Sequence, residues 1–331
     1  MRVCAYEDRS TDAVGAKILV LSLLRHSPGT RVDVTLPFAS DELVHWFERS
    51  PGVRVSKVRD PSRSGYQVKA RMLLDALDDG ATEAVWLDTD IVVGGDLRRR
   101  LGAYPAEAII VAEEYFGAPG QGGSQRTRAL GLEVGRPMPS TANTCVVRVT
   151  RWHRELLREW DRRLTSDEYR DAQAKPWFER PLHLLGDQDV LTGLLGSTLF
   201  AGTPIRWLRR GRDVAQCFEH GGYPAHERLR NLLAREQPLL LHSQGEKPWR
   251  PPGGRPSLHL ELSPYTLAAA DYAQDLAEDS GWLAPRLRLS RVLRKVHRGH
   301  PTATGLLPAV ARELRDQRVV KTWLRRVFAA G

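Results

Sequence analysis

Two aspartates stand two residues apart inside an apolar run, Val85 to Val93. The run has the composition of a β-strand, in which residues two apart point to the same side, so Asp88 and Asp90 would converge on one point. An ionised carboxylate that leaves water needs a partner or a metal, and oxygen ligands of this kind suit Mg²⁺ or Mn²⁺. The pair alone is equally compatible with carboxylates that face solvent or cap the next helix.

A histidine and a lysine later in the chain could complete such a site. His242 ends a second strand-like run that begins at Leu239, and Gly245 then forms a turn that presents Lys247. An imidazole with two carboxylates is a reasonable ligand set for Mn²⁺, and the lysine could neutralise a phosphate bound to that metal. A histidine at a strand end also has an ordinary structural interpretation.

Further polar side chains stand among apolar ones, and each has an ordinary alternative. Asp187, Gln188 and Asp189 interrupt an apolar run at the predicted start of a helix, where Asp187 would serve as an N-cap. Asn143 precedes a short strand, which is typical of a turn residue. Lys69 lies near a helix start and is by default a solvated lysine.

Strand and helix patterns alternate along the first 115 residues. This alternation predicts an α/β fold, a Rossmann-like, mainly parallel mixed sheet flanked by helices. Such sheets bind ligands beyond the carboxyl ends of their strands, where the aspartate pair falls. In a later amphipathic helix, Trp152, Leu156 and Trp160 are expected in the core. The predicted strands are Arg2–Tyr6, Arg31–Leu36, Val53–Val58, Ala84–Val93, Ala108–Ala112 and Cys145–Val149, and the predicted helices are Asp12–His26, Ser40–Arg49, Gln67–Leu77 and Arg151–Leu164.

The composition is that of a globular protein, with 41% hydrophobic residues in a chain of 331. Its three cysteines lie far apart, which indicates reduced thiols and argues against disulfides or a cysteine metal site. No apolar run approaches the ~20 residues that a membrane span needs. We therefore expect a cytoplasmic protein.

The net charge of +9 is concentrated at the end of the chain. Residues 281–331 carry twelve Lys and Arg against two acids, which leaves a net charge of −1 for the first 280 residues. Apolar stripes with basic neighbours predict helices in this tail. The helices could pack on the body, dock on the anionic inner face of a membrane, or bind a partner or nucleic acid. The proline-rich stretch Pro248–Pro256 predicts a catalytic domain, 1–256, and a basic helical C-terminal extension, 257–331.

Taken in order, these motifs resemble those of the family 8 glycosyltransferases, the group that contains glycogenin and bacterial lipopolysaccharide glucosyl- and galactosyltransferases. The resemblance runs from about Arg2 to Trp249. An Asp-x-Asp pair is weak alone, but it is specific when Asp-Gln-Asp and His-x-x-Gly-x-Lys-Pro-Trp follow it in order.

The resemblance implies a GT-A fold, a nucleotide-sugar donor (usually a UDP-sugar), Mn²⁺ or Mg²⁺, and retention of anomeric configuration. Asp88, Asp90 and His242 would ligate the metal. The other implied roles are Lys247, presented by Gly245, at the donor diphosphate; Gln188 with Asp187 near the anomeric carbon; Asn143 and Lys69 at the sugar or ribose; and Ala5, Tyr6 and Asp8 at the uracil.

Two positions depart from the family pattern. The usual Asn-Ser-Gly is Asn143-Thr144-Cys145 here, which changes the space beside the donor sugar. The acidic residue that commonly follows the next strand is either Glu113 or Glu114.

The sequence leaves the acceptor open among glycans, lipid-linked molecules and small molecules. One alternative function is that of a nucleotidyltransferase on a similar sheet, although no glycine-rich, basic loop follows the first strand. A second is a membrane- or nucleic-acid-binding protein that acts through its tail. The near-neutral body with an acidic site disfavours this second alternative.

Overall fold

The computed structural model describes residues 1–8, 13–58, 65–114, 122–217, 223–234, 236–245, 247–249 and 263–276. The predicted domain boundary after residue 256 and the predicted amphipathic helices of the basic tail lie outside these residues. They stay predictions.

A large sheet of seven strands forms the centre of the described structure, in the order β3-β2-β1-β4-β7-β6-β8. Its neighbouring strands are parallel except where β7 pairs antiparallel with β4 and β6. The prediction of a mainly parallel mixed sheet is confirmed. The strands are β1 Arg2–Tyr6, β2 Arg31–Thr35, β3 Val53–Ser56, β4 Glu83–Leu87, β6 Ile109–Glu113, β7 Ala142–Thr150 and β8 Ile205–Leu208.

A small second sheet stands beside the large one, in the order β5-β10-β9. Its strands are β5 Ile91–Val93, β9 Val214–Gln216 and β10 Leu240–His242. The prediction of one strand from Ala84 to Val93 is therefore wrong. Strand β4 belongs to the large sheet and ends at Leu87, whereas β5 pairs antiparallel with β10 in the small sheet. The aspartate pair lies in the turn between the two sheets.

Helices cover both faces of the large sheet because alternate residues of each strand point to opposite sides. On β4, Val85 and Leu87 belong to a core with the first two helices, whereas Ala84 and Trp86 pack on the opposite side. The helices are α1 Val14–His26, α2 Asp41–Glu48, α3 Lys69–Asp78, α4 Leu97–Gly102, α5 Gln125–Ala129, α6 Arg154–Leu164, α7 Asp167–Gln173, α8 Asp187–Leu195, α9 Ala225–Ala234 and α10 Pro264–Ala269.

The chain after residue 262 contributes to the body of the protein. Ser263 caps α10, and Tyr265 is buried in a third core cluster with Val14 of α1 and Val92 of β5. None of the helices in the described ranges has the length and apolarity that crossing a bilayer requires.

The structure corrects the sequence predictions for Asn143, which lies at the site, and for Trp152, which lies outside it. Strand β7 begins at Ala142, so Asn143 lies inside a strand and is not a turn residue. A register shift between Val111 and Ala112 of β6 marks this end of the β6–β7 pair, and such bulges are frequent beside active sites. Trp152 is 58% exposed, against its predicted place in the core, because it lies on a single 3₁₀ turn before α6.

Candidate active site

A cavity of about 720 Å³ opens where β1, β4 and β6 end and the antiparallel β7 begins. This is the edge at which parallel sheets bind their ligands. Eleven of the twelve predicted site residues line the cavity. These residues are Tyr6, Asp8, Lys69, Asp88, Asp90, Asn143, Asp187, Gln188, His242, Gly245 and Lys247.

Every predicted site residue except Ala5 therefore borders one cavity. Ala5, the next-to-last residue of β1, points its side chain into the core, and its place beside a uracil stays a prediction.

The aspartate pair and the histidine lie close together in the fold, although the histidine follows the pair by more than 150 residues in the sequence. Asp88 and Asp90 occupy the turn between β4 and β5, and the antiparallel pairing of β5 with β10 sets His242 opposite Ile91, the neighbour of Asp90. The backbone N–H of Ser243 donates to the carbonyl of Asp90 at 2.9 Å and fixes this crossing. His242 Nε2 lies 3.3 Å from Asp90 Oδ1 and 4.0 Å from Asp88 Oδ2.

These three side chains fit a divalent cation. One ligand atom from each of Asp88, Asp90 and His242 lies within 4.8 Å of the others. Two carboxylate oxygens and an imidazole nitrogen form a donor set that suits Mn²⁺ and also accepts Mg²⁺. His242 is buried, and its Nδ1 has no hydrogen-bond partner among the described residues. The nitrogen of the ring that faces the two carboxylates is Nε2.

Lys247 reaches the same point from the turn that follows β10. Its Nζ forms an ion pair with Asp90 Oδ2 and donates to the carbonyl of Ser243. Gly245 begins this turn with a φ of +83°, a conformation that a side chain would strain. The ammonium group therefore stands beside the predicted metal ligands, where a diphosphate would also find a positive charge.

Lys69 is the central cation of the cavity wall and is not the solvated lysine of the default interpretation. Its side chain is 2% exposed, and Nζ lies 3.0 Å from Asp88 Oδ1 and 3.3 Å from Asp187 Oδ2. Burial works to lower the pKa of Lys69, but Asp187 and Asp88 outweigh it and raise that pKa. The lysine is therefore held as a cation between two carboxylates.

Asp187 is fixed from several sides and does not cap its helix. Gly186 is the N-cap residue of α8, and Asp187 is the first residue of the helix. Its Oδ2 accepts the hydroxyl hydrogen of Thr144 at 2.6 Å, and its carbonyl accepts from the indole of Trp160 at 3.0 Å. Burial raises the pKa of Asp187, while Lys69 and Thr144 oppose that rise. The hydroxyl of Thr144 thus contributes to the site at one of the positions that depart from the family pattern.

Glu114 is the acidic residue that faces the cavity. Its carboxylate accepts hydrogen bonds from Asn143 Nδ2 at 3.0 and 3.1 Å, from Gln188 Nε2 at 2.6 Å and from Gln244 Nε2 at 3.3 Å. Glu113 instead accepts from the backbone N–H of Arg210 at 3.1 Å. The choice that the sequence left open is decided by the alternation of side chains at the end of β6.

Several cavity residues carry no role in the sequence analysis. Gln244 lies inside the His-x-x-Gly motif, at one of its variable positions, so the motif gave no reason to select it. Arg126 lies on α5, and its Nε donates to Asp189 Oδ1 at 2.7 Å within the protein interior. Trp86 Nε1 donates to Asp88 Oδ1 at 2.7 Å. A polar atom on an otherwise apolar strand is the one signal that could have identified Trp86.

Comparison with known proteins gives structural matches only. No model of a known protein family matches the chain, and no curated protein matches it in sequence. Solved structures similar to it include the bifunctional glycosyltransferase WbbM, with 16% identity over 75% of this chain and a TM-score of 0.49. This match covers 46% of the WbbM chain.

Two further glycosyltransferases show a similar degree of likeness. GlyE from Streptococcus pneumoniae TIGR4 has 14% identity over 83% of this chain and 63% of its own, with a TM-score of 0.44. The galactosyltransferase LgtC, solved with donor and acceptor sugar analogs, has 17% identity over 82% of this chain and 96% of its own, with a TM-score of 0.48. Sequence identities this low show similarity of fold only, and they assign no donor, acceptor or metal to this chain. In its mixed α/β sheet and in the motif residues that meet at the strand ends, this chain resembles the family 8 glycosyltransferases.

Proposed function

We propose that this protein is a metal-dependent, retaining glycosyltransferase that moves a hexose from a UDP-sugar to an acceptor hydroxyl. The observation that supports the proposal most strongly is the meeting of Asp88, Asp90 and His242 with Lys247 in one cavity. Three of these groups suit a divalent cation, and the fourth suits the phosphates that such a cation would bind.

The residues present match the charge that develops in this reaction. When the bond between the anomeric carbon and the diphosphate oxygen breaks, negative charge accumulates on the departing diphosphate. A divalent ion held by Asp88, Asp90 and His242 would supply Lewis-acid stabilisation of that charge. Lys247 would exchange its partner Asp90 for a phosphate oxygen and add a charge-assisted hydrogen bond. No acid is then required to protonate the leaving group.

Retention is what the family resemblance implies, and it requires either a covalent intermediate or attack from the face that the diphosphate leaves. An amide such as Gln188 is a poor nucleophile, so we propose that the acceptor oxygen attacks from the face that the diphosphate leaves, and that its proton passes to a phosphate oxygen. Gln188 would then stabilise the positive charge on the sugar. Anomer-resolved NMR of the product tests this step, and an inverted product would refute it.

A donor screen tests the proposed function as a whole. We expect release of UDP from at least one UDP-hexose in the presence of Mn²⁺, and loss of release when a chelator is added. Asp88→Ala and Asp90→Ala should each lower turnover by about 10³-fold or more, because each removes a ligand of the ion that stabilises the leaving group. Asp41→Ala is the matched control, since the side chain of Asp41 is 98% exposed on α2. Full turnover in either site variant would contradict the assignment.

A further inference from the structure

Three carboxamide side chains converge on a single carboxylate in the cavity. Glu114 is buried, and it receives an N–H donor from each of Asn143, Gln188 and Gln244. The three amides come from β7, from α8 and from the turn after β10, so the cluster joins three separate segments of the fold. The backbone N–H of Glu114 donates to the carbonyl of Thr141 at 3.0 Å and anchors the cluster at the β6–β7 end.

The convergence fixes which way each amide faces. A carboxylate only accepts hydrogen bonds, whereas an amide presents donors on nitrogen and an acceptor on oxygen. Each of the three amides must therefore turn its nitrogen toward Glu114. For Asn143 the oxygen accepts from the backbone N–H of Cys145 at 2.9 Å. For Gln188 the nitrogen is the donor to Glu114, so the amide oxygen is directed away from that carboxylate.

We propose that Glu114 is a positioning residue, which holds the amide of Gln188 with its oxygen toward the transferred sugar. This inference rests on the proposed function, because it assigns Gln188 a place beside the anomeric carbon. A carbonyl oxygen carries partial negative charge and stabilises an oxocarbenium-like centre, whereas an amide N–H turned to the same place would destabilise it. The rotation state of one amide thus decides whether Gln188 favours or opposes the reaction.

The geometry favours a directing role over a general packing role. The bond from Gln188 to Glu114 Oε2 is 2.6 Å, the shortest of those within the cluster. Asn143 and Gln244 approach the other oxygen, and Asn143 bridges both. Replacing one carboxylate oxygen by an NH₂ group would leave at least one of the three amides without its acceptor, and that amide would be free to turn over.

A double-mutant cycle between Glu114→Gln and Gln188→Ala tests the proposal. With UDP-glucose and UDP-galactose as donors, Glu114→Gln should lower kcat by about tenfold or more and change KM by less than about threefold, because the interaction acts in the transition state. In the Gln188→Ala background the same substitution should change kcat by less than about twofold, since the residue through which it acts is gone. Glu113→Gln is the matched control, because it makes the same change one residue earlier on the other side of β6.

Two results would overturn the proposal. One is an equal loss of kcat in both backgrounds, which would mean that Glu114 does not act through Gln188. The other is a rise in KM with an unchanged kcat, which would place Glu114 in ground-state binding only. Thermal unfolding of each variant, followed by circular dichroism, shows whether a loss reflects unfolding.

A measurement without substrate separates this proposal from the proposed function. In protein labelled with ¹⁵N-glutamine, the side-chain N–H protons of Gln188 should exchange with water slowly, because they are held by a charged acceptor. Exchange should accelerate by about threefold or more in Glu114→Gln and stay unchanged in Glu113→Gln. Unchanged exchange in Glu114→Gln refutes the positioning role even if no UDP-hexose is consumed. A normal exchange response without any turnover would refute the proposed function alone.

Discussion

Strand β7 carries buried polar side chains at both of its ends, and the two ends use them differently. At the start of the strand, Asn143 and Thr144 bind other side chains around the cavity. At the end, Arg148 and Thr150 bind backbone carbonyls that belong to the loop before β6. The first set connects side chains from distant segments, and the second closes one corner of the fold.

The closed corner has a partner for nearly every donor. Arg148 pairs with Glu83 across the β4–β7 register and donates to the carbonyls of Pro105 and Ala108 at 2.9 and 3.0 Å. His153 accepts from the backbone N–H of Thr150 at 3.0 Å on one ring nitrogen and lies 3.1 Å from the carbonyl of Glu107 with the other. Because these groups are paired with one another, we expect this corner to contribute to stability and not to catalysis.

The cavity end is not closed in this way. The amide oxygen of Gln244 and the Nδ1 of His242 are buried and have no hydrogen-bond partner among the described residues. The charges at this end are also not paired one to one, because the single ammonium group of Lys69 forms ion pairs with both Asp88 and Asp187. Buried polar groups of ordinary structure are satisfied, and groups that are not satisfied indicate a place for a ligand.

The largest effect on stability is expected at the closed corner. Arg148→Met should lower the free energy of unfolding by about 3–5 kcal/mol, because it removes one partner of a largely buried ion pair and takes a donor from the carbonyl of Ala108. Turnover per folded molecule should stay unchanged. Denaturant unfolding and an activity titration measure the two quantities.

The control for this variant is Arg158→Met. Arg158 pairs with Glu155 on the exposed side of α6, so its loss should cost less than about 0.5 kcal/mol. If Arg148→Met lowered turnover of the folded fraction, the distinction between the two ends of β7 would be wrong.

The closed corner should also make stability depend on pH. Burial lowers the pKa of His153 to about 4, from an ordinary value of 6.5. Between these two pH values the unfolded chain binds a proton that the folded protein does not, so acid favours unfolding. The contribution of His153 should therefore be fully present above pH 6.5 and fall by about 3 kcal/mol as the pH falls to about 4.

The comparison of wild type with His153→Gln isolates this contribution from other titrating groups. Free energies of unfolding measured from pH 4 to 7.5 should show a flatter profile for the variant. Parallel profiles would mean that His153 is not held in its neutral form. Activity measured at pH 7 should be the same for both proteins.

The smallest stability effects, and the sharpest contrast, are expected from two threonines of the same strand. Thr144→Val removes the hydroxyl between Lys69 and Asp187 and should cost about 2 kcal/mol, because hydrogen bonds to charged groups are lost. Thr150→Val removes a bond to the carbonyl of Ala106 and should cost about 1 kcal/mol. Both substitutions keep the shape of the side chain.

The two variants should differ far more in turnover than in stability. We expect Thr144→Val to lower kcat by about tenfold or more, because Asp187 and its neighbour Gln188 lose a fixed position. Thr150→Val should leave kcat unchanged. Donor consumption and thermal unfolding, measured on the same samples, check both expectations, and equal losses of kcat would remove the functional contrast between the two ends.

Much of the architecture could be predicted from the sequence. The alternation of strand and helix patterns predicts the parallel part of the sheet, because side-chain period is a local property of the chain. The spacing of the motifs also predicts the meeting of Asp88 and Asp90 with His242. That prediction depended on the order of the motifs and on the family resemblance that they carry, whereas the pairing of β5 with β10 is what brings the three residues together.

Other features were decided by tertiary structure alone. The apolar run from Val85 to Val93 has no local signal for a break, and it divides between two sheets because β5 finds its partner in β10, about 150 residues later. Trp152 matches the apolar stripe of α6 by spacing, yet the 3₁₀ turn rotates it into solvent.

The chemistry of single residues shows the same division. The sequence determined which carboxylates, amides and cations the protein has, and in which order the strands present them. Only the fold decided that Lys69 is buried between two carboxylates and that Glu114, and not Glu113, collects three amides. The physical reason is that burial and hydrogen-bond partners depend on segments that are distant in the chain, and no local pattern records which of them will meet.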